Sequence, residues 1–257
     1  MISSRSLFTA TVLLSIACSF GLSALCEAKP PKKLPNDCGQ LLVSIADSWD
    51  SNRAKMWCFY KTNEGWQTTR AEPIPVLFGK NGMAWGRGVL PVEPEGRMKR
   101  EGDRRTPAGL FELGTVFGYG ATIPGGGAYP YNQVDRWDAW IDDPTNKYYN
   151  QHFEASPSNK PSWFESQRMR LGDYAYRYKI EVRHNSDPPV PGFGSAIFFH
   201  VRRGADRTTH GCTTMTESNL VRVIRWLEEN QNPHYVALPK SEYLKVESLW
   251  NLPKLPE

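Results

Sequence analysis

The chain has 257 residues and sets 31 Lys and Arg against 27 Asp and Glu, a formal net charge of +4 with no basic run that forms a stripe. A nucleic-acid partner is therefore not expected. Its 21 Gly and 20 Pro cut it into short segments without an internal repeat or heptad, so coiled coils and solenoids are set aside and a mainly β fold is expected.

Residues 1–28 read as an export signal. Arg5 supplies a short positive start, Leu7 to Leu25 is an apolar stretch, and Cys26-Glu-Ala28 ends in small side chains suited to cleavage. The stretch is too rich in serine for a membrane span, which needs about 20 predominantly apolar residues. Neither Cys18 nor Cys26 sits in a good lipobox, so no stable membrane insertion is expected once the signal is cleaved. The mature chain is expected to be exported. A linker over 29–38 follows, whose Lys/Pro stretch Lys29 to Pro35 is expected to be mobile and extended.

Leu41 to Ile45 and Lys55 to Tyr60 read as two strands of a meander joined by the polar turn Asp47 to Asn52. Ile74 to Phe78 is a third strand, closed by Gly79-Lys-Asn-Gly82, and Leu110 to Leu113 a fourth. An aromatic, polar insertion then runs over 129–163, with Tyr131, Trp137, Trp140, Tyr148, Tyr149, Phe153 and Trp163. A loop this long inside a compact domain is usually functional. It is read as a lid or wall, as a small satellite core, or as both. Strands resume at Tyr176 to Val182, Ala196 to Val201 and Tyr235 to Leu238. Between the last two lies a helix over about 218–230, with Leu220, Ile224 and Leu227 on one face and Thr216 as its N-cap. Residues 241–257 form a C-terminal tail.

Without the signal, three cysteines remain: Cys38, Cys58 and Cys212. In an oxidising compartment Cys38 and Cys58, either side of the first turn, are the natural disulfide pair, leaving Cys212 as the odd thiol. That thiol stands in Thr208-Thr-His-Gly-Cys-Thr-Thr214, twelve residues after the strand ending at His200. A nucleophilic cysteine needs a base and backbone N–H donors for an oxyanion. His200 on a rigid strand and Cys212 beside flexible Gly211 meet those needs. The bland alternative is a buried thiol among satisfied imidazoles. A zinc site of His200, His210 and Cys212 lacks a fourth ligand at any recognised spacing, so no metal is expected. His152, His184 and His234 have no motif around them and read as surface residues.

These segments resemble the L,D-transpeptidase (YkuD-like) catalytic-domain family over about 40–238. Gly102-Asp-Arg-Arg-Thr-Pro-Ala-Gly-Leu-Phe111 is similar to that family's Gly-Asp-x-x-Thr-Pro-x-Gly-x-Phe segment. Tyr129-Pro-Tyr131, Trp140-Ile-Asp-Asp-Pro144 and Tyr149-Asn150 resemble one bacterial branch. Gly194 to His200 resembles the strand of the catalytic histidine, and Thr209-His-Gly-Cys212 the nucleophile motif.

The resemblance implies a β-sandwich or mixed sheet, with a helix after the catalytic cysteine and an aromatic lid insertion, spanning 39–240. It implies no cofactor, and peptidoglycan stem peptides as partners. Cys212 is then the nucleophile and His200 the base. Backbone amides around His210, Gly211 and Cys212 receive the oxyanion, and His210 shapes the motif or serves as a second base. Thr209, Thr214, Tyr131, Trp140, Asp142 and Arg202 are the expected substrate contacts. The implied reaction cleaves the diaminopimelate–D-Ala bond through a thioester and forms 3→3 crosslinks. Hydrolysis, as an L,D-carboxypeptidase or amide hydrolase, stays open. An inactive wall-binding module is disfavoured because His200, Gly211 and Cys212 are all present.

Two features depart from the family pattern: the short interval from His200 to Cys212, and Thr214 where many members carry Arg or Asn. Arg202, Arg203 and Arg207 are candidates to replace that charge. An imidazolium at His200 is expected to lower the Cys212 pKa and make its alkylation fast. The residues carry no signal of oligomeric state.

Overall fold

A computed structural model describes residues 33–91, 96–169 and 172–256; the export signal expected over 1–28 lies outside the described residues. Among the described residues thirteen strands follow in chain order: β1 (Gln40–Ala46), β2 (Arg53–Thr62), β3 (Gly65–Thr68), β4 (Ile74–Leu77), β5 (Met83–Trp85), β6 (Thr106–Gly118) and β7 (Tyr131–Gln133). Then come β8 (Asp138–Trp140), β9 (His152–Glu154), β10 (Tyr178–Val182), β11 (Phe198–Val201), β12 (Thr213–Met215) and β13 (His234–Pro239). Helices α1 (Phe164–Gln167), α2 (Glu217–Trp226) and α3 (Lys240–Val246) complete a mainly β fold.

The mixed sheet runs β1-β13-β6-β10-β11-β12-β4-β2, and β2 pairs with β1 again, so these eight strands close on themselves. Closure leaves few edges to protect. The sequence shows why the ring holds. β1 is buried at every position, and β13 likewise, so both lie between covered faces, their mostly apolar sequences interrupted only by Gln40, Ser44 and His234. The start of β2 alternates, with Arg53 and Lys55 outward and Ala54 and Met56 inward. β11 and β12 pair in parallel, joined by the loop 202–212 that carries the Thr-His-Gly-Cys turn, and β1 and β13 pair in parallel from opposite ends of the chain, with α2 leading from β12 toward β13.

Helix α2 starts where its sequence says it should: Thr216 Oγ1 accepts the Asn219 amide at 3.4 Å, and Leu220, Val223 and Ile224 are buried. It stops at Trp226, short of the expected 230. Gln40 of β1 is the reason. Its side-chain amide donates to Trp226 O at 2.7 Å and its carbonyl accepts the Glu228 amide at 2.9 Å, replacing the next helical turn. Two strands also begin later than their composition suggests. Tyr174–Tyr176 is a 3-10 turn capped by Asp173, and Ala196 holds φ +55°, so β10 and β11 begin at 178 and 198.

Both ends of the described chain belong to the core. Leu34 and Cys38 are buried within the segment expected to be linker, and the Leu34 amide donates to Trp250 O at 2.9 Å. The segment expected as a tail contains α3, whose fully buried Tyr243 donates to Pro253 O at 2.6 Å.

The expected disulfide is absent. Cys38 and Cys58 are separate buried thiols. In the β1–β2 register Cys58 stands opposite Leu42, four residues from Cys38. That offset is about 13 Å of strand, beyond the roughly 7 Å a disulfide can span. Cys38 instead donates to Gln40 O at 3.3 Å, and burial pushes both thiols up to about 12.

Candidate active site

The nucleophile turn is built from its backbone outward. Thr209 is buried and engaged on every side: its amide donates to Phe78 O (3.0 Å) and its carbonyl accepts from Lys80 (2.9 Å). Its hydroxyl donates to Cys212 O (2.6 Å) and accepts the Gly211 amide (3.0 Å). The neighbouring Gly79 amide donates to the Thr106 hydroxyl at 2.9 Å, so the Gly-Asp-Arg-Arg-Thr-Pro segment supports this turn from beneath. Gly211 holds φ +147°, and a Cβ there would lie 3.0 Å from Arg105 O. Only glycine fits both demands.

His200 is placed by sheet register. It stands opposite Lys179 of β10 on one side and Thr214 of β12 on the other, so the three form a row across the sheet. Cys212 immediately precedes β12. Cys212, His200, His210, Gly211, Thr209 and Thr214 all line one cleft of about 700 Å3, together with Lys179, Tyr176, Phe198, Arg203 and Arg207. A second cleft, about 810 Å3, lies across Trp140 and is lined by Glu181, Arg183 and Asn185, without Cys212 or His200.

The electrostatics are those of a neutral pair. Burial pushes the Cys212 thiol up to about 11, against the Phe198 amide and the charges of Lys99 and Lys179. Burial holds His200 down at about 4, opposed by the Val201 carbonyl. His200 Nδ1 lies 3.0 Å from Val201 O, which assigns the proton to Nδ1 and leaves Nε2 as the basic nitrogen. The Cys212 thiol donates to Ala196 O at 3.5 Å rather than to His200. The expected imidazolium–thiolate pair is therefore replaced at rest by thiol and imidazole, because the site is too poorly solvated to hold two charges.

The other expected contacts divide. Trp140 and Asp142 line the Cys212 cleft, with Asp142 exposed. Trp140 meets Phe198 edge-on at 4.8 Å between centroids, and its indole N–H donates to Asn150 Oδ1 at 3.2 Å. The insertion is thus a docked wall. It also has a satellite core, Ala139, Ile141, Ala155 and Phe164, under Trp137, Tyr148, Phe153 and Trp163. Tyr131 is not at the cleft: it pairs within β7 against β6, and its hydroxyl donates to Gly120 O. Arg202 is not there either, because its amide bonds to Met215 O at 2.8 Å and its carbonyl accepts from Tyr174. Arg203 and Arg207 reach the cleft instead, Arg203 paired with Asp173.

His184 and His234, read as surface residues, are each 1% exposed. His184 bridges two backbone groups, Nε2 to Phe193 O at 2.9 Å and the Arg87 amide to Nδ1 at 3.2 Å.

The residue that local sequence reading missed is Lys179. A single lysine in the otherwise apolar Tyr178–Ile180 stretch was its one visible signal.

A family model described as the L,D-transpeptidase catalytic domain matches residues 50–236, most of the chain. No curated protein and no solved structure matches it.

Proposed function

The chain belongs to the L,D-transpeptidase catalytic-domain family, whose chemistry acts on peptidoglycan, and from this premise we propose an exported cysteine acyltransferase that acts in the periplasm or cell wall. Its donor is a tetrapeptide stem, cut between diaminopimelate and D-Ala. The observation that carries this reading is the common cleft of Cys212 and His200, with the histidine tautomer set by Val201.

His200 Nε2 takes the thiol proton as Sγ attacks the diaminopimelate carbonyl. The Gly211 amide is engaged by Thr209, so the oxyanion falls to the amides of Cys212 and His210. The imidazolium then gives its proton to the departing D-Ala nitrogen as the C–N bond breaks, leaving a thioester. An amine of a second stem attacks that thioester and loses a proton to His200. The thiol is restored and a 3→3 crosslink forms. Water in place of the amine gives the hydrolytic product.

Mass spectrometry of purified muropeptides incubated with residues 29–257 tests this. Crosslinked dimers accompanied by free D-Ala are expected. Tripeptides alone would show a carboxypeptidase, and unchanged stems would overturn the proposal.

A further inference from the structure

We propose that Lys179 is a carboxylate-binding residue of the Cys212 cleft, and that its ligand is the free C-terminal carboxylate beside the scissile amide of the stem. This identity of the ligand rests on the reading above; the anion site itself does not.

Lys179 is 4% exposed, yet it lines the cleft. Its ammonium lies 5.8 Å from the Phe117 centroid, 5.8 Å from Tyr176 and 5.4 Å from Phe198. Three ring faces steady a cation, but rings accept none of the three N–H bonds in the ordinary sense. Among the described residues no carboxylate lies within ion-pair distance of Lys179, and its ammonium has no hydrogen-bond acceptor.

Asp138 is the acid whose field reaches it. That carboxylate is already taken, by His152 at 2.6 Å and by the Asp135 amide at 2.6 Å. The ammonium is not among the fully buried unpaired atoms; it opens onto the cleft, where a nearly buried cation with no protein acceptor favours an arriving anion. Register says where it arrives. Lys179 faces His200 on one side and Phe117 on the other, and Thr214, beyond His200 in the row, is neutral. An anion on Lys179 therefore sits beside the proton-transferring imidazole. That is where a peptide whose last amide is being cut presents its terminal carboxylate.

Two readouts test the proposal, using Lys179→Met, which keeps the length and suits the aromatic surroundings. The first is alkylation of Cys212 by anionic iodoacetate relative to neutral iodoacetamide. The ratio cancels any change in thiol pKa, and it should fall about tenfold or more in Lys179→Met, in line with a lost charged hydrogen bond. The second is kcat/KM for stem peptides ending in a free acid or a carboxamide. Wild type should prefer the acid by a similar factor, and Lys179→Met should lose the preference by slowing the acid alone.

An unchanged alkylation ratio, or an equal loss on both peptides, overturns the proposal. If Lys179→Met does not fold, wild type alone decides, since no preference for the acid refutes the site. If wild type turns over neither peptide, the functional reading fails while the alkylation ratio still reads the anion site.

Discussion

Asn150 Oδ1 accepts the backbone amide of Ala196 at 2.9 Å, and the carbonyl of the same Ala196 accepts the Cys212 thiol at 3.5 Å. One residue just ahead of the strand that carries His200 thus joins the aromatic wall to the nucleophile. Asn150 is buried, and its side chain also accepts from Trp140 and donates to His184 O at 2.9 Å and Asn185 O at 2.8 Å. Every hydrogen-bonding site it has is used.

Asn150→Ala leaves those partners unmet inside the fold. It should cost about 3 kcal/mol of stability, read by denaturant unfolding. It should also lower acylation by more than the unfolded fraction explains, since Trp140 and Ala196 both lose their anchor. Asn150→Asp does not rescue, because a carboxylate cannot donate to His184 O and Asn185 O.

Gly211→Ala puts a side chain at φ +147° with its Cβ 3.0 Å from Arg105 O. Strain of about 1–3 kcal/mol follows, and the displacement falls on the adjacent Cys212. Acylation should drop by about 100-fold, because misplacement of roughly 1 Å is enough for that. Stopped-flow thioester formation checks it, and activity within a few-fold of wild type would count against the turn geometry described.

The acid limb of stability follows from buried histidines. Burial lowers His184 to about 3 and His200 to about 4. Both are neutral when folded and take up a proton near pH 6.5 when unfolded. Their contribution is complete above pH 6.5 and is lost as pH falls toward 3–4. Tm should decline steadily from pH 6.5 to 4, and His184→Gln, though less stable at pH 7, should show a shallower decline. A Tm independent of pH over that range would contradict neutral burial.

The same values set the rate profile. His200 acts as a base when neutral, so donor acylation should be flat from pH 7 to about 5 and fall near 4. Lys179 faces Asp138 and Cys212, and burial lowers it to about 8. It binds carboxylate only when charged, so acylation by acid-terminated stems should decline above pH 8, and Lys179→Met should lack that limb. At pH 7 iodoacetamide should label Cys212 more slowly than an ordinary thiol, since the thiol is held near 11. His200→Ala should nearly abolish acylation, and His210→Ala should have a smaller effect because His210 is exposed.

Much of this was legible along the chain where the signal is local. The buried runs of β1 and β13, the 3.6-residue face of α2 and its Thr216 cap follow from spacing alone. The Thr-His-Gly-Cys turn is likewise local chemistry. What escaped depends on register. The four-residue offset that keeps Cys38 from Cys58, and the row that sets Lys179 beside His200, exist only once strands pair, and strand composition does not state their alignment. β7, β8 and β9 are three residues each, too short for alternation to register. His184 looked like a surface residue because its partners, Phe193 O and the Arg87 amide, are backbone groups contributed by folding.

The most direct test is intact-protein mass spectrometry of the enzyme mixed with tetrapeptide stem and no acceptor. The account predicts an adduct equal to the stem minus D-Ala, mapped to Cys212, released by hydroxylamine and absent in Cys212→Ala. Turnover of stems by Cys212→Ala, or an adduct carried by another residue, would contradict it.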